Sequence, residues 1–289
     1  MGLHKTFAIP RMSSIPSVLS GLGPDARRNS LVLLAVVALL PAAYSAYVLR
    51  QGATRTVATA RISPPDPLRI TEDEVHAPSA VPSDVLAAPE RYVVGRERIV
   101  SEAVPLKRLL PGLIEGSSGK GKGKGKGKRG LLDTYLGTTM RTFTRTPQAF
   151  VMKSLVSRLP GGAAHAETFS ATYLDACCFQ PGDRVCGVYV VRERVASETG
   201  ERVFLDLSAP EGWRGPVVTG VLDCGYVLAE ENGEKVVRFV NETVLWRTAD
   251  GKPTLLEGKV SRWLHTAMVG WMVVRGVEAV TGRAKENMN

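Results

Sequence analysis

Six side chains in the C-terminal half have the chemistry to hold a small molecule: Tyr189, Tyr226, Asn241, Thr243, His265 and Trp271. Asn241 and Thr243 stand two residues apart, so a strand places both on one face, together with Val237, Phe239 and Leu245. An amide on such an apolar face needs a partner, because burying it unpaired costs roughly 1–3 kcal/mol. That partner is either a ligand carbonyl or backbone at a β-bulge. His265 falls within an apolar helical segment, where a histidine is either hydrogen-bonded packing or an acid–base group. Tyr189, Tyr226 and Trp271 suit a packed interior or a pocket wall. Arg275 and Glu278 lie one helical turn apart and suit an ion pair, the alternative being neutralisation of an acidic ligand. Asp175, Asp183 and Asp223 are further carboxylates, at positions where turns and strand ends also use them.

No spacing in the chain matches a metal site, a nucleotide-binding loop or a catalytic triad, so neither metal nor cofactor is expected. Cys177, Cys178, Cys186 and Cys224 give no zinc pattern and no redox CxxC, and read as free thiols. Asn241–Glu242–Thr243 matches a glycosylation sequon but falls inside an expected strand, as a chance match would. The net charge of +9 suggests nucleic acid until it is placed along the chain. Residues 131–289 balance eighteen basic against eighteen acidic side chains. The excess lies in the N-terminal 50 residues and in a Gly-Lys run, Gly116–Gly130. That run lacks aromatic interleaving, so no nucleic-acid partner is expected. It reads as a flexible insertion, extended by self-repulsion, or as a basic segment that rests on anionic headgroups.

The elements that must position these residues follow from periodicity. Tyr92–Val100 is β-prone and reads as the first strand. Leu132, Tyr135, Leu136, Met140 and Phe143 share one face of a helix over Leu131–Phe143. Thr146–Pro147 reads as an N-cap followed by proline at the first helical position. It opens a second helix expected to bury Phe150, Val151 and Leu155, with Val156 at the margin of that face, and to stop at Pro160–Gly161–Gly162. Strands are expected over Thr168–Tyr173, Arg184–Val195, Arg202–Leu207, Pro216–Ala229, Lys235–Arg247 and Pro253–Leu256. Asn232–Gly233 closes a hairpin among them. Lys259–Val280 is apolar almost all round and reads as a helix buried against a curved sheet, with Gly270 and Gly276 admitting the strands closely. A second membrane span is disfavoured by Arg275 and Glu278.

This order of elements resembles the helix-grip fold of the START and Bet v 1-like superfamily. The stretches "GVLDCGYVLAEENGEKVVRFVNETVLWR" and "RWLHTAMVGWMVVRGVEAV" resemble bacterial domains of that class. "RYVVGRERIVSEAVPL", "TFTRTPQAFVMKSL" and "RFVNETVLWR" are similar to uncharacterised membrane-anchored proteins of filamentous fungi, over roughly residues 85–281. The resemblance implies an α+β domain: a curved antiparallel sheet wrapped on a long C-terminal helix, with a cavity between them for apolar ligands. It carries over no catalytic residue.

Upstream, Leu31–Leu49 is free of charge and flanked by Arg27, Arg28 and Arg50. As a helix it would reach about 28 Å, close to the roughly 30 Å bilayer core. It reads as a single transmembrane helix after an N-terminal tail, rather than as a cleaved signal or a core helix. The expected location is a membrane, the endoplasmic reticulum or another endomembrane rather than the mitochondrial inner membrane. Residues 51–90 hold six prolines between 64 and 89 and read as a stalk. Residues 91–282 form the expected domain and 283–289 a tail. The expected function is binding of a small hydrophobic molecule beside membrane lipid. The alternatives are an enzyme of fungal polyketide or terpenoid biosynthesis and a structural or assembly subunit of a membrane complex.

Overall fold

The computed structural model describes residues 47, 49–63, 81–114, 129–214 and 217–282. The chain divides into two units, Met1–Val48 and Leu49–Asn289, and within the first only Tyr47 is described. The N-terminal tail, nearly all of the expected span Leu31–Leu49, stalk residues 64–80, Gly-Lys residues 116–128 and the tail 283–289 lie outside the described residues. Among the described residues no helix is long and apolar enough to cross a membrane.

The second unit is α+β, built on one curved antiparallel sheet. In chain order its strands are β1 (Thr56–Ser63), β2 (Tyr92–Ser101), β3 (Val104–Pro105), β4 (Arg184–Val185), β5 (Tyr189–Ser197), β6 (Gly200–Leu207), β7 (Thr219–Glu231) and β8 (Glu234–Thr248). Residues 49–55 are helical, and its further helices are α1 (Ser83–Ala87), α2 (Leu131–Phe143), α3 (Pro147–Val156), α4 (Gly162–Glu167), α5 (Ala171–Ala176) and α6 (Lys259–Thr281). The sheet order is β1-β2-β8-β7-β6-β5-β4, with β3 also paired to β8. Strands β4 to β8 thus run as a meander, while β2, made before the helices, pairs with β8, made after them.

Two-residue alternation gives the sheet two different faces. The inner face carries Ile99, Val203, Leu205, Val237 and Phe239 into one core with Leu132, Tyr135 and Leu136 of α2 and Val273 and Val277 of α6. The outer face carries Val94, Phe204, Val221, Val244 and Trp246 into a smaller core closed by Val81 and by Val85 of α1. Asn232 and Gly233, both at positive φ, make the β7–β8 turn, as their sequence requires.

Several elements depart from the sequence expectation. Thr56–Ser63, within the expected stalk, pairs along its whole length with β2; its run TVATARIS is β-prone and precedes the first proline. Thr168–Tyr173 is no strand. Ser170 caps α5 by accepting from the Tyr173 amide at 3.0 Å, the local bonding that makes serine favour helix starts. Pro253–Leu256 also forms no strand, and Glu257 takes the Thr254 amide at 2.6 Å instead. Thr146 caps α3 as expected, accepting from the Ala149 amide at 3.2 Å. Val156 is buried as expected, together with Ala149, but Phe150, Val151 and Leu155 are exposed; of two apolar stripes on this helix, the smaller one meets the core. Gly276 admits a helix rather than a strand: a Cβ there would lie 2.6 Å from the Tyr135 ring and the Thr139 hydroxyl of α2. Gly270 does face a strand: a Cβ there would lie 3.4 Å from the Thr56 hydroxyl of β1 and 3.6 Å from the Gly52 Cα.

Candidate functional site

Between the inner sheet face, α3 and the N-terminal half of α6 lies a cavity of about 210 Å³. Its floor is Tyr189, Leu207, Leu222, Thr243 and Leu245, and its wall is Met152, His265 and Met268. It opens toward the surface through Gln148, Ala209, Val217 and Val218, all exposed. At its inner end a second space of about 40 Å³ is lined by Asn241, Thr243, His265 and Met268, with Met140 and Phe143 of α2 and Cys224 of β7. Tyr189, Leu222, Thr243, His265 and Met268 border both spaces, which adjoin across these side chains.

The polar groups at this inner end are few and held from behind. The Tyr135 hydroxyl donates to Asn241 Oδ1 at 2.7 Å, within a stacked contact between Tyr135 and Phe239. Burial raises the Tyr135 pKa well above the usual phenol value, so this hydroxyl keeps its proton. With Oδ1 taken, the Asn241 Nδ2 hydrogens are the amide's remaining valences, on a residue only 6% exposed. No hydrogen bond to Nδ2 is made among the described residues. The bulge partner that the sequence left open is thus replaced by a phenol from α2.

His265 is held in the same fashion. Its Nδ1 bonds Glu97 Oε2, and the Thr266 hydroxyl donates to Glu97 Oε1. Glu97 faces inward from β2, opposite Thr243 in the β2–β8 register, and is 1% exposed. Burying a carboxylate costs several kcal/mol unless partners compensate it, and here a hydroxyl and an imidazole do. With Glu97 as acceptor at Nδ1, a neutral imidazole here carries its proton on that nitrogen and its lone pair on Nε2. Nε2 has no hydrogen-bond partner among the described residues, and the His265 side chain is 11% exposed.

Of the six residues named from sequence, Tyr189, Asn241, Thr243 and His265 line these spaces, and Tyr226 and Trp271 do not. Tyr226 packs near Phe239, ring centroids 6.3 Å apart. Trp271 is half-buried where α6 meets Gly52. Burial raises the Tyr189 pKa, which keeps it a neutral phenol. The sequence placed Tyr135 on a core-facing helical stripe rather than at the site, and gave neither Glu97 nor Met268 a role there. Glu97 had one visible signal: it shares β-strand parity with Gly95 and Ile99, so an apolar strand face carried a carboxylate.

The remaining candidates are engaged elsewhere. Glu278 bonds Arg275 at 2.7 Å and also Arg55 at 2.8 Å. Asp175 pairs with Arg141 at 3.1 Å, and Asp183 accepts the Gln180 amide at 2.8 Å. Asp223 lies on the outer sheet face, bonded to Arg202 and opposite Glu242. Burial pushes its pKa up to about 6 although Arg202 pulls the other way. All four cysteines are free. Burial raises Cys177 to about 11 and also raises Cys186 and Cys224, so these three are inert thiols. Among the described residues no group of His, Cys, Asp and Glu is arranged to hold a metal. The Asn241 sequon is buried in mid-strand.

Comparison with protein-family models, curated proteins and solved structures finds no match to the chain.

Proposed function

We propose that the unit Leu49–Asn289 binds a small hydrophobic molecule in the pocket under α6, in a helix-grip-like arrangement, and that the run Leu31–Leu49 tethers the chain to a membrane. The observation that carries the reading is the 210 Å³ apolar cavity, whose lining includes only Gln148, Tyr189, Ser208, Trp213, Thr243 and His265 as polar-bearing side chains. Apolar walls with a few fixed polar groups are the usual make-up of a small-molecule site. Two features support the helix-grip comparison: the long strand before the helices, β2, pairs with the last, β8, and the terminal helix lies on the inner face.

A membrane source for the ligand is supported by the segments that frame the opening. Beside their pocket-lining residues they carry exposed apolar side chains: Phe150 and Val151 on α3, Val217 in the loop before β7, and Val260, Trp263 and Leu264 on α6. Each would gain on the order of 1.5–3 kcal/mol if fully removed from water.

Filling the pocket tests the reading. Met268 borders both spaces, so Met268→Trp should occupy them while leaving the packed half of α6 alone. Full-length chain, purified in detergent, should retain an extractable apolar compound near one per chain by mass spectrometry. Met268→Trp should retain at least roughly tenfold less, a difference of about 1.4 kcal/mol in binding, with an unchanged thermal midpoint. Equal retention by both proteins would remove the pocket from the explanation.

A further inference from the structure

We infer that the inner end of the pocket is a proton-transfer site: His265 Nε2 is a general base and Asn241 Nδ2 a hydrogen-bond donor, acting on an apolar ketone. The inference rests on the ligand-binding reading and adds chemistry to it. Three observations carry it. His265 and Asn241 both border the same 40 Å³ space, which is large enough for a carbonyl group and its neighbouring carbon. Each is fixed from behind by a buried partner, His265 by Glu97 and Asn241 by Tyr135. Each turns its unused nitrogen away from that partner, and neither nitrogen has a bond among the described residues.

Such an arrangement meets the geometric demands of enolisation. A base must have a lone pair free and a fixed tautomer, which the carboxylate behind the imidazole supplies. The developing oxyanion needs a donor already in place, which the Asn241 amide supplies once Tyr135 has occupied its oxygen. In the step, Nε2 takes a proton from the carbon next to the carbonyl. The C–H electron pair forms a C=C bond to the carbonyl carbon, and the C=O π pair moves onto oxygen, held by Nδ2–H. In a β,γ-unsaturated ketone, returning the same proton from Nε2 to the γ-carbon shifts the double bond into conjugation. No oxidant, reductant or cofactor enters the balance. Glu97 touches no substrate and is a positioning residue, as is Tyr135.

The test uses full-length chain in lipid nanodiscs, D₂O buffer and 2-decanone as the enolisable apolar probe. Saturation-transfer NMR reads binding, and loss of the α-proton signal reads exchange. Wild-type chain should bind 2-decanone and exchange its α-protons on the order of 10²-fold faster than buffer. His265→Asn should bind equally and exchange at the buffer rate. Asn241→Ala should lose most of the acceleration. Glu97→Gln should lower the saturating exchange rate about tenfold at an unchanged half-saturating concentration, and Glu97→Asp should recover part of it; a merely structural glutamate would shift both or neither. Should Glu97→Gln fail to fold, His265→Asn on the less buried side of the pair still decides the matter. Binding without accelerated exchange overturns the proton-transfer site and leaves the pocket standing. No binding at all overturns both.

Discussion

From Val269 to Val280, α6 packs against α2: Val273, Val277 and Val280 are buried, and Gly276 brings the two helices into contact through Tyr135 and Thr139. From Lys259 to Met268 the same helix borders the pocket, with Trp263 55% exposed. The first half is the more polar, with five polar side chains in ten residues against two in twelve, and length adds to the difference. At 1.5 Å per residue, the thirteen residues of α2 reach about 20 Å and the twenty-three of α6 about 35 Å. The shorter helix cannot cover the longer one, and beyond the capped break α3 borders the cavity through Gln148 and Met152 instead of filling it. The hollow is the uncovered remainder.

The contrast predicts a graded response along one helix. Gly276→Ala, in the filled half, should cost about 2–3 kcal/mol, because its new carbon meets an aromatic ring that has no free space to move into. Chemical denaturation measures this directly, and a loss below about 0.5 kcal/mol would show the packed half to be as loose as the other. Tyr135→Phe, at the junction, should cost about 1–2 kcal/mol by stranding the buried Asn241 oxygen. A partner lost without penalty would mean that water already reaches Asn241 from the pocket. Trp263→Ser, at the far end, should change the unfolding free energy least, staying within about 0.5 kcal/mol of wild type by chemical denaturation. A large destabilisation there would show that the open half is closed against something.

Much of the frame was legible because it is local. The helix Leu131–Phe143 carries its own 3.6-residue pattern, the Thr146 cap announces the next helix, and Asn232–Gly233 fixes the hairpin. β1 was hidden because eight β-prone residues adjoin a proline-rich stretch whose composition dominates any window across it. The candidate site was half visible. Asn241 and His265 stood out as polar groups on apolar faces, but their partners are 106 and 168 residues away in the chain. Only the β2–β8 register, which sets Glu97 opposite Thr243, and the packing of α2 across the sheet bring them together. Neither leaves a trace in local periodicity. Which apolar stripe of α3 would face inward was equally beyond local pattern, since both stripes qualify.

One consequence concerns the order in which the chain is made. Asn241 is synthesised before α6, so a nascent chain passing a sugar-transferring enzyme shows its Asn-Glu-Thr triplet while β8 is still uncovered. A glycan on Nδ2 would have to fit where Met268 and Phe143 close around it, and no rearrangement of a surface loop can relieve that. Folding and modification at this asparagine therefore exclude one another. A copy glycosylated at Asn241 could not reach this fold, so any copy in this fold carries the bare amide.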